Sequence, residues 1–196
     1  MRSSVINRRR ALGLLSMAAL GTARLARADE RSAVDVSALQ AQFRSSGLLT
    51  QAAEFTYWLR GGPPGEGYTS DLLALRAADG GIQGEYIRAR FDEAYEPPYL
   101  AEQFRAPVPL QKADAAVQTA LAAGLFSRTF PGEQEPPVAD ILKETWTLKW
   151  AGGELAKTFY QDFPNELNQV RGLCEAIMNE LARAATPTIL NPRRSQ

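Results

Sequence analysis

Hydrophobic and polar residues alternate along three segments in the first half of the chain, and this alternation predicts β-strands. The three segments are residues 52–60, 68–77 and 82–91. In the first, Phe55 and Tyr57 alternate with Thr56 and Trp58. The dipeptide Asp79-Gly80 between the second and third is typical of a tight hairpin turn. The pattern therefore predicts a three-stranded antiparallel meander.

Helical spacing and a second hairpin follow. Residues 110–126 carry apolar side chains at intervals of three and four, which predicts a helix. Residues 144–150 and 155–160 alternate around Gly152-Gly153, which predicts a hairpin with Lys149 and Lys157 pointing away from its tryptophan face. The clearest helix begins near Pro164 and ends before Pro187. Its apolar stripe consists of Leu167, Val170, Cys174, Ile177 and Leu181.

The order β-β-β-α-β-β-α predicts one α+β domain over residues 51–185, with an antiparallel sheet and helices packed on one face. Residues 92–109 contain four prolines and are expected to form neither a helix core nor a central strand. Residues 29–50 are expected to form a polar N-terminal arm or a short helix. Residues 186–196 are expected to form a C-terminal tail.

The first 28 residues have the three parts of a removable export signal. Arg8-Arg9-Arg10 forms a cationic start, Ala11–Ala23 is apolar, and Ala26-Arg27-Ala28 supplies the small residues Ala26 and Ala28 of a cleavage site. Arg9 and Arg10, followed by Ala11-Leu12, resemble the twin-arginine signature. An uncleaved amphipathic helix is the alternative. The resemblance implies a bacterial protein that folds before export and acts in the periplasm or outside the cell, with membrane contact only during export.

Charge disfavours one class of partner. The 28 N-terminal residues hold 6 of the 22 basic side chains and none of the 22 acidic ones, so residues 29–196 carry 16 basic and 22 acidic side chains, a net charge of −6. An acidic domain repels phosphate backbones. Nucleic acid is therefore not expected as a partner.

The chain has no histidine and one cysteine, Cys174, and this excludes several kinds of active site. It excludes Ser-His-Asp and Cys-His catalysis, histidine-ligated metals, and iron–sulfur clusters. Cys174 falls on the apolar stripe of the last helix, where a thiol behaves as a small hydrophobe. We expect no metal or organic cofactor.

Aromatic residues and prolines are concentrated in one loop that suits protein recognition. The predicted contact residues are Tyr95, Pro97, Pro98, Tyr99 and Phe104, with Trp58 of the first strand as a further candidate. Proline stiffens such a loop, so little conformational entropy is lost on docking. The alternative is that these aromatic side chains cap the ends of the sheet.

Acidic residues in the same loop suggest a different function. Asp92, Glu93 and Glu96 follow a strand, and paired carboxylates can hydrolyse glycosidic bonds or hold calcium. Calcium-loop spacing is absent, and a solvated acidic loop is the preferred explanation of the cluster. The glycine-rich segment Gly61–Gly67 lacks the spacing of a phosphate-binding loop.

The pattern of elements resembles the emfourin type of small proteinaceous protease inhibitor. The resemblance covers roughly residues 52–182. It is carried by Glu54-Phe55-Thr56-Tyr57 before Gly61-Gly62, by Asp79-Gly80, by a middle helix, and by Thr147–Gly153 before a final helix. It implies inhibition of thermolysin-like metalloproteases. The chain departs from the family in its long segment 92–109 and its export signal, and no functional residue is carried over.

Three functional hypotheses remain open at this point. The first is an exported non-catalytic protein-binding domain, possibly a protease-inhibitor-like module, with a protein partner in the envelope. The second is an accessory subunit of a periplasmic oxidoreductase that is exported in folded form. The third is a carboxylate-dependent hydrolase that acts on envelope glycans.

Overall fold

The computed structural model describes residues 38–39, 41–43, 47–48, 53–62, 68–91, 98, 100–136 and 142–190. All of them belong to one compact unit, residues 36–196. The predicted export signal, with Arg9, Arg10, Ala26 and Ala28, lies outside the described residues. None of the helices in the described part of the chain is long and apolar enough to cross a membrane.

A seven-stranded antiparallel sheet forms the centre of the fold. Its strands are β1 (Glu54–Gly61), β2 (Tyr68–Ala78), β3 (Gly81–Phe91), β4 (Leu100–Val108), β5 (Lys143–Trp150), β6 (Gly153–Tyr160) and β7 (Thr188–Ile189). Helix α1 (Leu110–Ala122) connects β4 to β5. A short 3₁₀ turn (Asn165–Leu167) leads into helix α2 (Asn168–Ala184). The order across the sheet is β6-β5-β1-β2-β3-β4-β7.

The α+β class is confirmed, but the predicted number and order of strands are wrong. Strands β1, β2 and β3 form the expected meander, and β5 with β6 forms the expected hairpin. The structure adds β4 within residues 92–109 and β7 within the predicted tail. Among the described residues, β7 pairs only with Glu102 and Gln103, so Pro107 lies where β4 is an edge strand. Proline is tolerated there because an edge strand has one side without ladder hydrogen bonds.

The core lies between one face of the sheet and the helices. Alternate residues of the central strands supply its largest buried side chains, including Phe55, Tyr57, Leu73, Leu75, Trp146 and Leu148. The ring of Tyr57 stacks on that of Trp146, with 4.3 Å between centroids. Helical residues before the sheet add Leu39, Phe43 and Leu48 to the same core.

Glycine allows α2 to approach the sheet closely. A Cβ atom at Gly84 in β3 would lie 2.5 Å from Val108 Cγ2, which is too close for a real contact, and 3.1 Å from Leu181 Cδ1, which is tighter than most real contacts. Leu181 is one of the buried residues of α2. The missing side chain at Gly84 therefore determines how near the helix packs, and it shows which sheet face the helices cover.

Candidate protein-binding face

The sheet face opposite the helices, here called the open face, carries no helix among the described residues. Directly paired residues of antiparallel strands lie on the same face, so the register defines its members. From β6, β5 and β1 they are Glu154, Ala156, Thr158, Tyr160, Lys143, Thr145, Thr147, Lys149, Glu54, Thr56, Trp58 and Arg60. From β2, β3 and β4 they are Tyr68, Ser70, Leu72, Ala74, Arg76, Gln83, Glu85, Ile87, Ala89, Phe91, Ala101, Gln103 and Arg105. Most of these side chains are half-buried or exposed.

A row of alternating charges crosses this face. Arg76 bonds to Glu54 with 2.8 Å between Nε and Oε2, and it also bonds to Glu85. Arg105 donates from Nη2 to Glu85 Oε1 at 2.8 Å, and Gln103 donates to the same carboxylate. Glu85 is only 6% exposed. Burial opposes its ionised form, but the hydrogen bonds from Arg76, Arg105 and Gln103 outweigh burial and hold the pKa of Glu85 below its ordinary value.

Trp58, predicted from the sequence as a contact residue, lies on the open face and is half-buried. Its indole Nε1 donates to Ser70 Oγ at 2.7 Å. Its direct neighbours on the flanking strands are Leu72 and Thr145. The hydrogen bond fixes the ring orientation, so the indole forms a rigid amphipathic element in the middle of the face.

Two cations occupy one end of the open face. Arg60 on β1 and Lys143 on β5 are direct cross-strand partners. The Nζ atom of Lys143 lies 5.3 Å from the ring centroid of Tyr160, and Cζ of Arg60 lies 5.5 Å from that of Phe91. Both distances are within the range of cation–π attraction. The aromatic rings hold the two positive charges in defined positions, and both cationic side chains are half-buried.

The structure describes two of the remaining predicted contact residues, Phe104 and Pro98. Phe104 lies within β4, is 3% exposed and stacks on Tyr86, so its placement in a docking loop is wrong and it belongs to the core. Pro98 is half-buried. Tyr95, Pro97 and Tyr99 lie outside the described residues, as do the acidic candidates Asp92, Glu93 and Glu96.

Among the described residues, a fully buried carboxylate of β5, Glu144, forms an ion pair with Arg171 of α2. Arg171 of α2 donates from Nε to Glu144 Oε1 at 2.6 Å and from Nη2 to Oε2 at 2.9 Å. The side chain of Glu144 is 0% exposed and that of Arg171 is 12% exposed. Arg171 also donates to Asn168 Oδ1 and to the carbonyl oxygen of Pro164. Because both charges are satisfied within the fold, the pair acts as a structural link between β5 and α2.

The only thiol in the chain is buried, and this bears on nucleophilic chemistry. Cys174 is 0% exposed, and burial raises the pKa of its thiol far above the ordinary value. A nucleophilic cysteine needs a lowered pKa and access to substrate. Cys174 therefore fills space in the core, as its place on the helix stripe predicts.

Lys157 does not point where the sequence pattern predicts. It pairs with Trp146 in the β5–β6 register, so it lies on the helix side of the sheet, whereas Lys149 does lie on the open face. Its Nζ donates to the carbonyl oxygen of Arg128 at 2.7 Å and to Glu133 Oε1 at 2.9 Å. Lys157 therefore anchors the loop that precedes β5.

The described residues border two surface hollows. One of about 520 Å³ is bounded by α1 and the start of α2, and its lining includes Gln118, Ala122 and Gln169. The other, of about 460 Å³, lies beside the end of β6 and is lined partly by Phe130 and Tyr160. Within the described ranges, no group of three or more cysteine or acidic side chains could hold a metal ion.

Sequence reasoning missed Arg60 and Lys143 as a pair. Arg60 ends one alternating segment and Lys143 directly precedes another, but nothing local indicates that β1 and β5 are neighbours. A comparison with protein-family models and with curated proteins finds no match for this chain, so the resemblance to protease inhibitors stays a prediction.

Proposed function

We propose that this chain is a non-catalytic protein-binding domain that acts in the bacterial envelope after export and binds its partner through the open face. The observation that carries the proposal is the open face itself. Helices cover one side of the sheet, and among the described residues none covers the other. That side presents Trp58, Arg60 and Phe91 next to a row of charged side chains.

The size of the face matches a protein interface. Six strands spaced about 4.8 Å apart and about eight residues long, at about 3.4 Å per residue, cover roughly 29 Å by 27 Å. This projected area of roughly 780 Å² compares with the roughly 800 Å² that each partner buries in a stable complex. The area is sufficient for a complete interface without other parts of the chain.

The composition of the face also supports binding. Tryptophan, tyrosine and arginine are enriched among the residues that dominate interface energetics. A hydrogen-bonded sheet loses little conformational entropy on docking, which lowers the cost of association. Fixed side chains such as Trp58, held by Ser70, add to this preorganisation.

A photo-crosslinking experiment tests the binding face. A photoreactive amino acid replaces Thr56 or Thr147 on the open face, and Gln169 or Glu175 on the exposed side of α2 as matched controls. We expect adducts of one defined mass from the two open-face positions in cells of the source bacterium, and none from the helix positions. Equal adducts from both sets, adducts from α2 alone, or no adducts would contradict the proposal. Turnover of a substrate by the purified chain would contradict its non-catalytic part.

The partner class implied by the emfourin resemblance is a thermolysin-like metalloprotease. Inhibition of such a protease by the purified chain, measured as slower hydrolysis of a chromogenic peptide, tests that class. Replacement of Trp58 by alanine should weaken inhibition, whereas replacement of Gln169 should not. Full protease activity at a large molar excess of the chain would exclude this class of partner.

A further inference from the structure

The sheet edge formed by β6 carries backbone groups that no other strand uses. Strand β6 is the last in the order across the sheet, and among the described residues it pairs only with β5. The N–H of Gln161 donates to Leu142 O, towards β5, and the N–H of Tyr160 donates to Gly132 O at 2.7 Å, away from β5. Successive residues of an antiparallel strand point their backbone groups to alternate sides. The residues of β6 whose groups point outwards are therefore Glu154, Ala156 and Thr158. Within the described ranges, no backbone group bonds to them.

The opposite edge of the sheet is protected in two ways that β6 lacks. Strand β7 covers β4 at Glu102 and Gln103, and β4 also contains Pro107, which has no N–H to donate. Proteins commonly protect their sheet edges with short strands, prolines and lysines. Strand β6 has eight residues without a proline. Its one lysine, Lys157, lies on the helix side of the sheet and is held by Glu133 at 2.9 Å, so its charge does not protect the edge.

The free part of this edge is symmetric about Ala156. It begins at Gly153, where β6 starts after the hairpin turn. It ends at Phe159, because the outward N–H of Tyr160 is already bonded to Gly132. Ala156 is the middle residue of this stretch. A second copy related by a two-fold axis through Ala156, perpendicular to the sheet, therefore covers the free edge along its whole length.

We propose that two copies of this chain pair antiparallel through β6, with Ala156 of each copy at the two-fold axis. In this register Ala156 lies opposite its own counterpart, and Glu154 lies opposite Thr158 of the second copy. The outward groups of one copy thus meet the outward groups of the other. Each such pair of residues exchanges both of its N–H···O=C hydrogen bonds. The pairing satisfies the edge that the fold leaves open.

The side chains of β6 suit this register. Ala156 is exposed and small, so the two copies meet at the axis without a clash. No like charges lie directly opposite each other, since Glu154 faces the hydroxyl of Thr158, and Lys157 faces Leu155 on the other side of the sheet. Changing the pairing by two residues loses hydrogen bonds, because it brings an outward residue opposite either the hairpin turn or Tyr160, whose N–H is occupied.

The pairing goes beyond the proposed function and does not depend on it. A two-fold axis perpendicular to the sheet keeps the open faces of both copies on the same side. The two open faces therefore join across the axis into one continuous surface. A dimer of this form presents two copies of every open-face residue to its surroundings, whatever the open face binds.

Disulfide crosslinking of the purified full-length chain tests the position of the axis. In Ala156→Cys the two thiols lie at the axis, where paired Cα atoms are about 5.5 Å apart, a separation that a disulfide spans. The natural Cys174 is 0% exposed and does not compete. We expect a disulfide-linked dimer from Ala156→Cys under mild oxidation. Thr147→Cys, which lies beside Ala156 on β5 and on the same face, is the matched control and should stay monomeric. Monomer alone from Ala156→Cys, or equal crosslinking of both variants, would overturn the inference.

A mixture of two variants tests the register. Glu154→Cys and Thr158→Cys should each stay monomeric when oxidised alone, since neither position faces its own counterpart. When the two variants are mixed, a dimer linked between positions 154 and 158 should form. An equal yield of dimer from either variant alone would contradict the antiparallel register about Ala156.

Analytical ultracentrifugation tests pairing in the unmodified chain. The dimer fraction should rise with concentration. Ala156→Glu brings two carboxylates opposite each other and should weaken dimerisation about fivefold relative to Ala156→Gln, which has a similar size and no charge. Both variants should melt at the temperature of the unmodified chain, because position 156 is exposed. Equal dissociation constants for the two variants, or an unmodified chain that stays monomeric up to about 1 mM, would refute the proposal.

Discussion

Replacement of Arg171 by methionine should remove much of the stability of the domain. The substitution keeps an extended apolar side chain but deletes both hydrogen bonds to Glu144, at 2.6 and 2.9 Å. Glu144 is 0% exposed, so water cannot replace them. Breaking a buried ion pair by removing one partner costs about 3–5 kcal/mol. A domain of this kind has a total unfolding free energy of about 5–15 kcal/mol, so the loss is a large fraction.

Urea unfolding followed by circular dichroism measures this effect. With a slope of about 2 kcal/mol per molar urea, a loss of about 4 kcal/mol lowers the midpoint by about 2 M. Lys112→Met is the matched control, because Lys112 and Glu180 also link two elements, yet their side chains are 50% and 47% exposed. An exposed pair contributes about 0–1 kcal/mol, so the midpoint should move little.

A double variant tests the stated cause. Glu144→Leu combined with Arg171→Met removes both charges and replaces them with apolar side chains. If an uncompensated buried carboxylate is the cause, the double variant should be more stable than Arg171→Met alone by several kcal/mol, since apolar replacement of a buried pair is often neutral or favourable. A loss below about 1 kcal/mol for Arg171→Met, or a double variant no more stable than the single one, would refute the reasoning.

Two further predictions concern packing and acid stability. Gly84→Ala should destabilise the domain by about 1–3 kcal/mol, because its Cβ would lie 2.5 Å from Val108 Cγ2 and 3.1 Å from Leu181 Cδ1. Gly172→Ala on α2, where nothing lies within 4 Å, should instead stabilise it by about 0.5–1 kcal/mol; equal effects of the two substitutions would contradict the packing argument. The pKa of Glu85 is lowered by its hydrogen bonds, so its contribution is complete above the unfolded-state pKa of about 4.3 and is lost as the pH falls through the lower folded-state pKa. Between pH 6 and pH 2 the urea midpoint of Glu85→Gln should therefore fall less than that of the unmodified chain, and parallel curves would contradict this assignment.

The β5–β6 register corrects the expected position of Lys157. The sequence places the turn of the second hairpin at Gly152-Gly153, but the structure pairs Trp150 with Gly153 and turns at Ala151-Gly152. Moving a two-residue turn by one position changes the pairing by two residues, so every side chain stays on the same face of the sheet. Lys157 would pair with Leu148 for the first turn and pairs with Trp146 in the structure, so both turns place it on the tryptophan face and not beside Lys149.

Strand β4 shows the limit of reasoning from prolines. Four prolines in residues 92–109 argue against a central strand, and that inference is correct as far as it goes. Most of β4 is instead bordered on one side only, since the described part of β7 is two residues long. Whether β4 lies at the edge of the sheet depends on which residues far along the chain pair with it, such as those of β7. No local pattern near residue 100 contains that information.

The sequence by itself determined the local periodicities, and through them the meander, helices α1 and α2, and the inward position of Cys174. The sequence also shows that the chain has no histidine, because composition can be read without knowledge of the fold. Only the tertiary structure decided that β5 lies beside β1, since that pairing joins segments separated by β2, β3, β4 and α1. Contacts between distant segments depend on how all apolar faces are buried together. The juxtaposition of Arg60 with Lys143, and the open face they share with Trp58, follow from that global packing and not from any stretch of the chain.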